Sequence, residues 1–231
     1  MGHEAALLDW EGLRADFAYT MDGGALEEGN FETFNAASVH WDITGFNVHP
    51  GDAKNTMINA ASVAMEINSM LPAGEAPEKT EGYEGFYHLT DIKGTVESAS
   101  MNYILRDHDA NGLAARKKTM RHIEKLINEK YGAGTAVLSI KDQYSNMSEV
   151  LKDHMDIVEL AERAIRAAGI EPVRAPIRGG TDGAQLSFRG LPCPDLGTGG
   201  DAYHGPYEHI SVEAMERAVD IILNLVKENI K

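Results

Sequence analysis

The sequence predicts an α/β protein in which one β-α-β-β-α-β module interrupts a second α/β region. Three observations carry this prediction. Apolar residues alternate along short segments between residues 35 and 143, as in half-buried strands. Between those segments, apolar residues recur at helical spacing. The flanks, residues 1–34 and 144–231, hold amphipathic helices and a glycine-rich stretch. We therefore expect an inserted domain at 35–143 between two segments of another domain.

The elements of the inserted domain follow from periodicity and from turn residues. Val39, Trp41 and Ile43 alternate with polar residues in the first strand, and Gly132 stops the second helix. Lys93-Gly94 is interpreted as the tight turn of a hairpin. The predicted strands are 38–46, 85–92, 95–105 and 135–141, and the predicted helices are 55–71 and 113–131. This order is that of a ferredoxin-like module, a four-stranded antiparallel sheet with helices on one face.

The flanking segments predict the rest of a larger α/β domain. An apolar strand at 15–20 runs into Met21-Asp22-Gly23-Gly24, and a single amphipathic helix is expected over 147–168. The chain ends in a helix with Ser211 as its N-cap. The residues expected on the buried face of that helix are Met215, Val219, Ile222 and Val226.

Composition is that of a folded protein and excludes some partners. The 231 residues are 43% hydrophobic and carry a formal net charge of -15. Such a charge repels nucleic acid and anionic lipid. No segment approaches the ~20 apolar residues that span a bilayer, and the first residues lack the pattern of a secretion signal. We expect a cytoplasmic protein that binds neither nucleic acid nor membrane.

The single cysteine, Cys193, excludes an internal disulfide. It lies between Pro192 and Pro194 in an apolar context. A packed thiol is therefore favoured over a catalytic one.

Candidate site residues lie where glycines are concentrated. Eight of the 23 glycines fall between Gly179 and Gly205, and apolar residues interleaved with them favour a structured loop over a linker. His204 lies in that stretch, and Asp22 follows a predicted strand, where α/β proteins place ligand-binding groups. An Asx-turn for Asp22 and a structural role for His204 remain open. Glu27-Glu28 is interpreted as a solvated acidic pair.

Several motifs together resemble the peptidase T family. They are DFAYTMDGG, FNAAS, NVHPG, EGYEGFYHL, GTVE, NYILRDHD and PIRGGTDGAQLSFRGLPCPDLGTGG followed by YHG. The resemblance extends over the whole chain in order. It implies a cytoplasmic tripeptide aminopeptidase of the di-zinc exopeptidase superfamily, which also contains carboxypeptidase G and aminoacylase. The implied fold is an α/β catalytic domain with an inserted ferredoxin-like lid that often dimerises.

The resemblance also implies roles for individual residues. Asp22 corresponds to the carboxylate ligand of one zinc ion, and His204 to the histidine ligand of the other. His49, in NVHPG, resembles a lid histidine that reaches the substrate carbonyl and comes from the partner subunit in dimeric relatives. Arg178 and Arg106 resemble arginines that bind the peptide. An ordinary ion pair remains open for each arginine.

The departures from the family pattern concern its first half. In the family, a His-x-Asp motif, a bridging aspartate and a Glu-Glu pair containing the general base all precede the lid. Here the chain begins Met1-Gly2-His3, and Pro206-Tyr207 replaces the usual Lys-His before Glu208. We therefore expect a C-terminal portion that is inactive alone and dimerises through its lid. It corresponds to an enzyme fragment, to a subunit completed by a separate N-terminal half, or to a non-catalytic binding remnant.

Overall fold

A computed structural model describes residues 8–230 of the chain. It divides them into two compact units: an inserted unit, Asn35–Tyr144, and a discontinuous unit made of the residues before and after it. In that described range, no helix has both the length and the apolar character needed to cross a membrane.

The elements are given in chain order. They are α1 (Trp10–Leu13), β1 (Thr20–Gly23), β2 (Gly29–Asn30), β3 (Asn35–Thr44), α2 (Ala60–Ser69), β4 (Phe86–Gly94), β5 (Ser98–Asp107), α3 (Ala110–Tyr131), β6 (Ala136–Tyr144), α4 (Ser148–Leu151), α5 (Met155–Ala167), α6 (Asp182–Phe188), β7 (Asp195–Gly197), β8 (Gly200–Asp201), β9 (His209–Ile210) and α7 (Val212–Asn229). Short 3-10 helices cover Pro50–Asp52 and Pro77–Lys79.

The inserted unit has the predicted β-α-β-β-α-β order. Its four strands form one antiparallel sheet in the order β4-β5-β3-β6. The alternation in β3 buries Val39, Trp41 and Ile43 in one core with the apolar faces of α2 and α3. Asp109 caps the start of α3, and Gly132, at φ 111°, ends it. The ferredoxin-like prediction is confirmed.

The predicted tight turn at Lys93-Gly94 is wrong. Both residues belong to β4, and Gly94 pairs with Ala99 across the hairpin. The chain reverses one step later, where the Thr95 backbone N–H donates to the Ser98 carbonyl at 2.7 Å. A Cβ at position 94 would lie 2.9 Å from that of Ala99, so this glycine serves close packing rather than the turn.

The discontinuous unit contains a three-stranded sheet in the order β1-β7-β2. β1 is parallel to β7, and β2 is antiparallel to it. The predicted strand at 15–20 therefore lies further along the chain, at Thr20–Gly23. Apolar residues of α5 and α7, including Ile165 and Ile221, pack with Leu196 of β7 in one core.

The single helix predicted over 147–168 is also wrong, because α4 and α5 are separate. His154, at φ −133° and ψ 40°, breaks the helix before α5 begins. Leu151 and Ile157 are both buried in the same core cluster. Over six residues of unbroken helix, these side chains would point about 120° apart. The break lets both reach the core.

The C-terminal helix begins at its predicted cap, since the Ser211 side chain accepts a hydrogen bond from the Ala214 N–H. Its predicted buried face is wrong. Met215, Val219, Ile222 and Val226 are all exposed, and Ile221 is the fully buried residue of α7.

Candidate functional site

A cavity of about 560 Å³ in the discontinuous unit brings several predicted site residues together. Asp22, Arg178 and His204 line it, although they come from three distant parts of the sequence. Glu28 and Glu208 line the same cavity, together with the glycines at 179 and 180. The cavity therefore combines one guanidinium and one imidazole with several carboxylates.

Asp22 reaches this cavity from within strand β1 rather than from a turn after it. Its backbone N–H donates to Oδ1 of Asp195 at 3.1 Å. Partial burial and then the negative charge of Asp182 raise the pKa of the Asp22 carboxyl, and His204 works against that rise. His204 therefore lies close enough to Asp22 to affect the pKa of that carboxyl.

His204 is held by an unusual backbone conformation. Its φ is 60°, in the left-handed region that a non-glycine residue rarely adopts. The Glu208 carboxylate accepts a hydrogen bond from the His204 backbone N–H at 2.9 Å. Tyr203, the preceding residue, anchors the loop to strand β1 through a hydrogen bond from its hydroxyl to the Gly23 carbonyl at 3.2 Å. The His204 imidazole thus lies on a turn that hydrogen bonds from Tyr203 and to Glu208 hold in place.

Asp195, which accepts a hydrogen bond from the cavity residue Asp22, was missed by sequence reasoning. It is fully buried, and its Oδ1 accepts hydrogen bonds from the Thr20 hydroxyl at 2.6 Å and from Asp22 N. Its Oδ2 has no hydrogen-bond partner among the described residues. Burial raises the pKa of this carboxyl to about 7; the Thr20 hydroxyl opposes the rise, and the Asp22 charge adds to it. In the sequence, the feature that could have identified Asp195 is an acidic residue inside the apolar run LPCPDLG.

Glu28, predicted to be one of two solvated acids, lines the cavity. Asn30 Nδ2 donates to its Oε2 at 3.4 Å. A Cβ at position 24 would lie 3.0 Å from the same oxygen, so a glycine there lets the carboxylate approach the β1 end. Glu28 is a candidate site residue because of its position in the fold, not because it adjoins another acid.

Arg178 lines the cavity with its guanidinium carbon 5.2 Å from the centre of the Phe34 ring. This stacking orients the planar guanidinium against an aromatic face. Arg178 therefore contributes a guanidinium to the lining of the cavity.

His49 and Arg106 belong to the inserted unit. The His49 side chain is 80% exposed, and its Nδ1 accepts a hydrogen bond from the Gly51 N–H at 3.1 Å. The neutral imidazole must then carry its proton on Nε2. Arg106 stacks on the Tyr144 ring at 5.2 Å and donates to the Leu105 carbonyl at 2.9 Å. Arg106 is thus held by the Tyr144 ring and by the backbone of its own strand.

A metal centre needs more donors than residues 8–230 bring together. Within residues 8–230, no group of three or more His, Cys, Asp or Glu side chains is arranged to hold a metal ion. Catalytic zinc sites use three protein ligands and an open position. Asp22 and His204 do not by themselves fit that requirement.

A family model described as "Peptidase dimerisation domain" matches residues 31–135. Peptidase T of Clostridium perfringens is 55% identical over 227 residues, which cover 98% of this chain and 56% of that protein. Peptidase T of Bacillus subtilis is 52% identical over 221 residues, covering 95% and 54%. The chain thus spans about half the length of the curated relatives it matches.

Solved structures show the same fold. An aminopeptidase PepT from Bacillus cereus has a TM-score of 0.80 at 21% identity, covering 98% of this chain and 61% of that one. A tripeptidase from Staphylococcus aureus has a TM-score of 0.83 at 20% identity, covering 96% and 59%. The YXEP protein of Bacillus subtilis, described as a dinuclear metal binding peptidase of the M20 family, has a TM-score of 0.57 at 20% identity and covers 89% and 51%.

Proposed function

Since the chain is homologous to peptidase T over nearly its whole length, we propose that it supplies one half of a peptidase T-like zinc aminopeptidase active site. The proposal includes release of the N-terminal residue of tripeptides, a cytoplasmic location and a homodimer formed through the inserted unit. The observation that carries it is the convergence of Asp22, His204 and Arg178 on one cavity.

The candidate residues of this chain would bind the metal and orient the peptide. They do not complete the set of groups that hydrolysis requires. Asp22 and His204 each offer one donor, which is fewer than a zinc site requires. The remaining donors and the general base would come from the part of peptidase T that this chain does not match. Bound metal would supply an activated water. No step through the metal is therefore assigned to this chain alone.

Arg178 is proposed to bind the peptide through a carbonyl or carboxylate oxygen. Its guanidinium is oriented by stacking on Phe34, which reduces the freedom lost on binding. His49 is proposed to stabilise the oxyanion from the inserted unit of the partner subunit. The Gly51 N–H occupies Nδ1, so Nε2–H is the donor available for that role. Arg106 was expected to bind peptide as well, but its contacts with Tyr144 and Leu105 favour Arg178.

The incomplete donor set favours a second candidate, a binding or oligomerising protein without chemistry. The two functions differ in whether addition of the unmatched part of peptidase T produces hydrolysis. The test is hydrolysis of a tripeptide with a free N-terminus in excess zinc or cobalt. The chain is assayed alone and together with the unmatched part of Clostridium perfringens peptidase T, made as a separate polypeptide.

We expect no turnover by the chain alone, because loss of a general base costs about 10²–10⁴-fold before the missing ligands are considered. Turnover should appear when the second polypeptide is added. His204→Ala should abolish it, whereas the exposed His122→Ala, as a matched control, should not. Zinc-dependent turnover by the pure chain would refute the incomplete-site proposal. A stable pair that hydrolyses nothing would favour the non-catalytic function.

A further inference from the structure

Helix α7 has two apolar faces, and only one of them is covered within the described residues. The α7 outer face consists of Val212, Met215, Val219, Ile222, Leu223, Val226 and Ile230. These side chains are between 41% and 79% exposed. They recur at helical spacing over the whole length of α7, so they form one continuous stripe rather than scattered exposed residues.

The inner face of α7 lies beside this stripe and packs into the core of its own unit. Ile221 is buried there, and Leu225 is partly buried, against α5 and Leu196. Charged residues occupy the remaining arc, which includes Arg217, Asp220 and Lys227. A surface helix needs an apolar stripe only about 100° wide to pack on one neighbour. Two adjacent apolar faces are typical of a helix packed between two layers.

The sheet of the same unit is also smaller than an α/β layer normally is. Its strands have four, three and two residues, and β1, which carries Asp22, is an edge strand paired in parallel with β7. Parallel strands usually lie in larger sheets that are covered on both faces. The relatives contain additional polypeptide, since the chain covers only 56% of Clostridium perfringens peptidase T.

A second copy of the chain is a poorer occupant. Acidic residues outnumber basic ones along α7, at Glu213, Glu216, Asp220 and Glu228 against Arg217 and Lys227. Two copies in contact through α7 would bring two helices of net negative charge side by side.

We propose that the α7 outer face is the docking surface for the polypeptide that completes peptidase T, namely the part of that protein which this chain does not match. The inference rests on the proposed function. The partner is expected to present an amphipathic apolar element to α7, while the cavity that holds Asp22 and His204 lies in the same unit.

The test measures binding of the separately made, unmatched part of Clostridium perfringens peptidase T by titration calorimetry, without metal or peptide. The test variant is Val219→Lys with Val226→Lys, which places two charges on exposed positions. The control is Asp220→Lys on the charged arc, which changes the net charge by the same amount. Circular dichroism melting checks that both variants fold.

The wild-type chain and the control should bind one partner per chain with affinities within about threefold of each other. The double variant should bind at least ~30-fold more weakly, as expected for loss of central apolar contacts. Absence of wild-type binding, or equal binding by the double variant, would overturn the proposal. So would a wild-type dimer that the double variant converts to a monomer, because α7 would then bind a second copy.

Failure of the proposed catalysis is distinguishable from failure of this surface. His204→Ala should bind the second polypeptide as tightly as the wild-type chain, because His204 is not on the α7 outer face. A pair that forms through α7 but hydrolyses no peptide would refute the proposed peptidase function and leave the docking surface standing.

Discussion

At the scale of single residues, Asp195 is the group whose ionisation conflicts most with its surroundings. It is fully buried, and Oδ1 accepts hydrogen bonds from Thr20 and from the backbone of Asp22. Oδ2 has no partner among the described residues, so an ionised carboxylate there is poorly compensated. Burial accordingly favours the protonated acid and raises its pKa to about 7.

This shift predicts how the stability of the protein varies with pH. The folded state holds a proton that the unfolded state, with an ordinary aspartate pKa near 4, has already released. The unfolding free energy should therefore fall as pH rises from about 4 to about 7, and then level off. Asp195→Asn keeps an acceptor for Thr20 and removes the charge. It should stabilise the protein by on the order of 2–4 kcal/mol at pH 8 and by little at pH 4.

Urea unfolding of the wild-type protein and of Asp195→Asn across pH 4–8 checks this prediction. Glu216→Gln serves as the control because Glu216 is an exposed acid on α7. Parallel stability curves for the wild-type protein and Asp195→Asn would contradict the assigned protonation.

Cys193 belongs to the same buried run. Its side chain is fully buried, and burial raises the pKa of the thiol to about 12. Nucleophilic cysteines need a lowered pKa and access to solvent. The structure therefore agrees with a packed thiol rather than a catalytic one.

At the scale of elements, the end of β7 depends on a close approach between backbones. A Cβ at Gly197 would lie 1.7 Å from the Ala25 carbonyl oxygen, a contact that requires the backbone to move. Gly29 pairs with the neighbouring Leu196, yet a Cβ there would meet only Ile165 Cδ1 at 3.9 Å. The same substitution is therefore a clash at one position and an ordinary contact at the other.

We predict that Gly197→Ala destabilises the protein by about 2–4 kcal/mol, while Gly29→Ala changes stability by less than about 1 kcal/mol. Chemical denaturation followed by circular dichroism measures both. Equal effects of the two substitutions would show that the β7 end tolerates displacement.

The elements also show what periodicity can predict. In the inserted unit, each strand and helix has one apolar face, so Val39, Trp41 and Ile43 point to the core by alternation alone. In α7 two sets share the same helical spacing. Met215, Val219, Ile222 and Val226 form one set, and the set containing Ile221 and Leu225 forms the other. Spacing cannot choose between them, and contact with α5 selects the second.

The candidate site was predictable only in part, because sequence patterns do not show contacts between residues that are distant in the chain. Asp22 and His204 follow recognisable motifs, and the fold brings them to one cavity. Sequence patterns do not single out Asp195 or Glu28 within their segments. The importance of Asp195 comes from a neighbour distant in the chain, Thr20. The break between α4 and α5 likewise depends on Leu151 and Ile157 reaching one core cluster.

At the scale of the whole molecule, the remaining prediction concerns assembly. The family model that matches residues 31–135 describes a dimerisation domain, and those residues form most of the inserted unit. We therefore expect self-association through the inserted unit, and docking of the second polypeptide through α7 in the other unit. The two surfaces should respond to different substitutions.

Light scattering at micromolar concentration should give twice the 25.2 kDa mass of the chain. The Val219→Lys, Val226→Lys double variant should give the same mass, because α7 takes no part in this contact. A monomeric wild-type chain would refute the dimer and, with it, the proposal that His49 acts on the partner's substrate. Adding the second polypeptide should then raise the mass by two equivalents per dimer for the wild-type chain and not for the double variant. If dimerisation and completion use separate surfaces, the double variant keeps the mass of a dimer. Its mass does not increase when the second polypeptide is added. No single shared surface predicts both results.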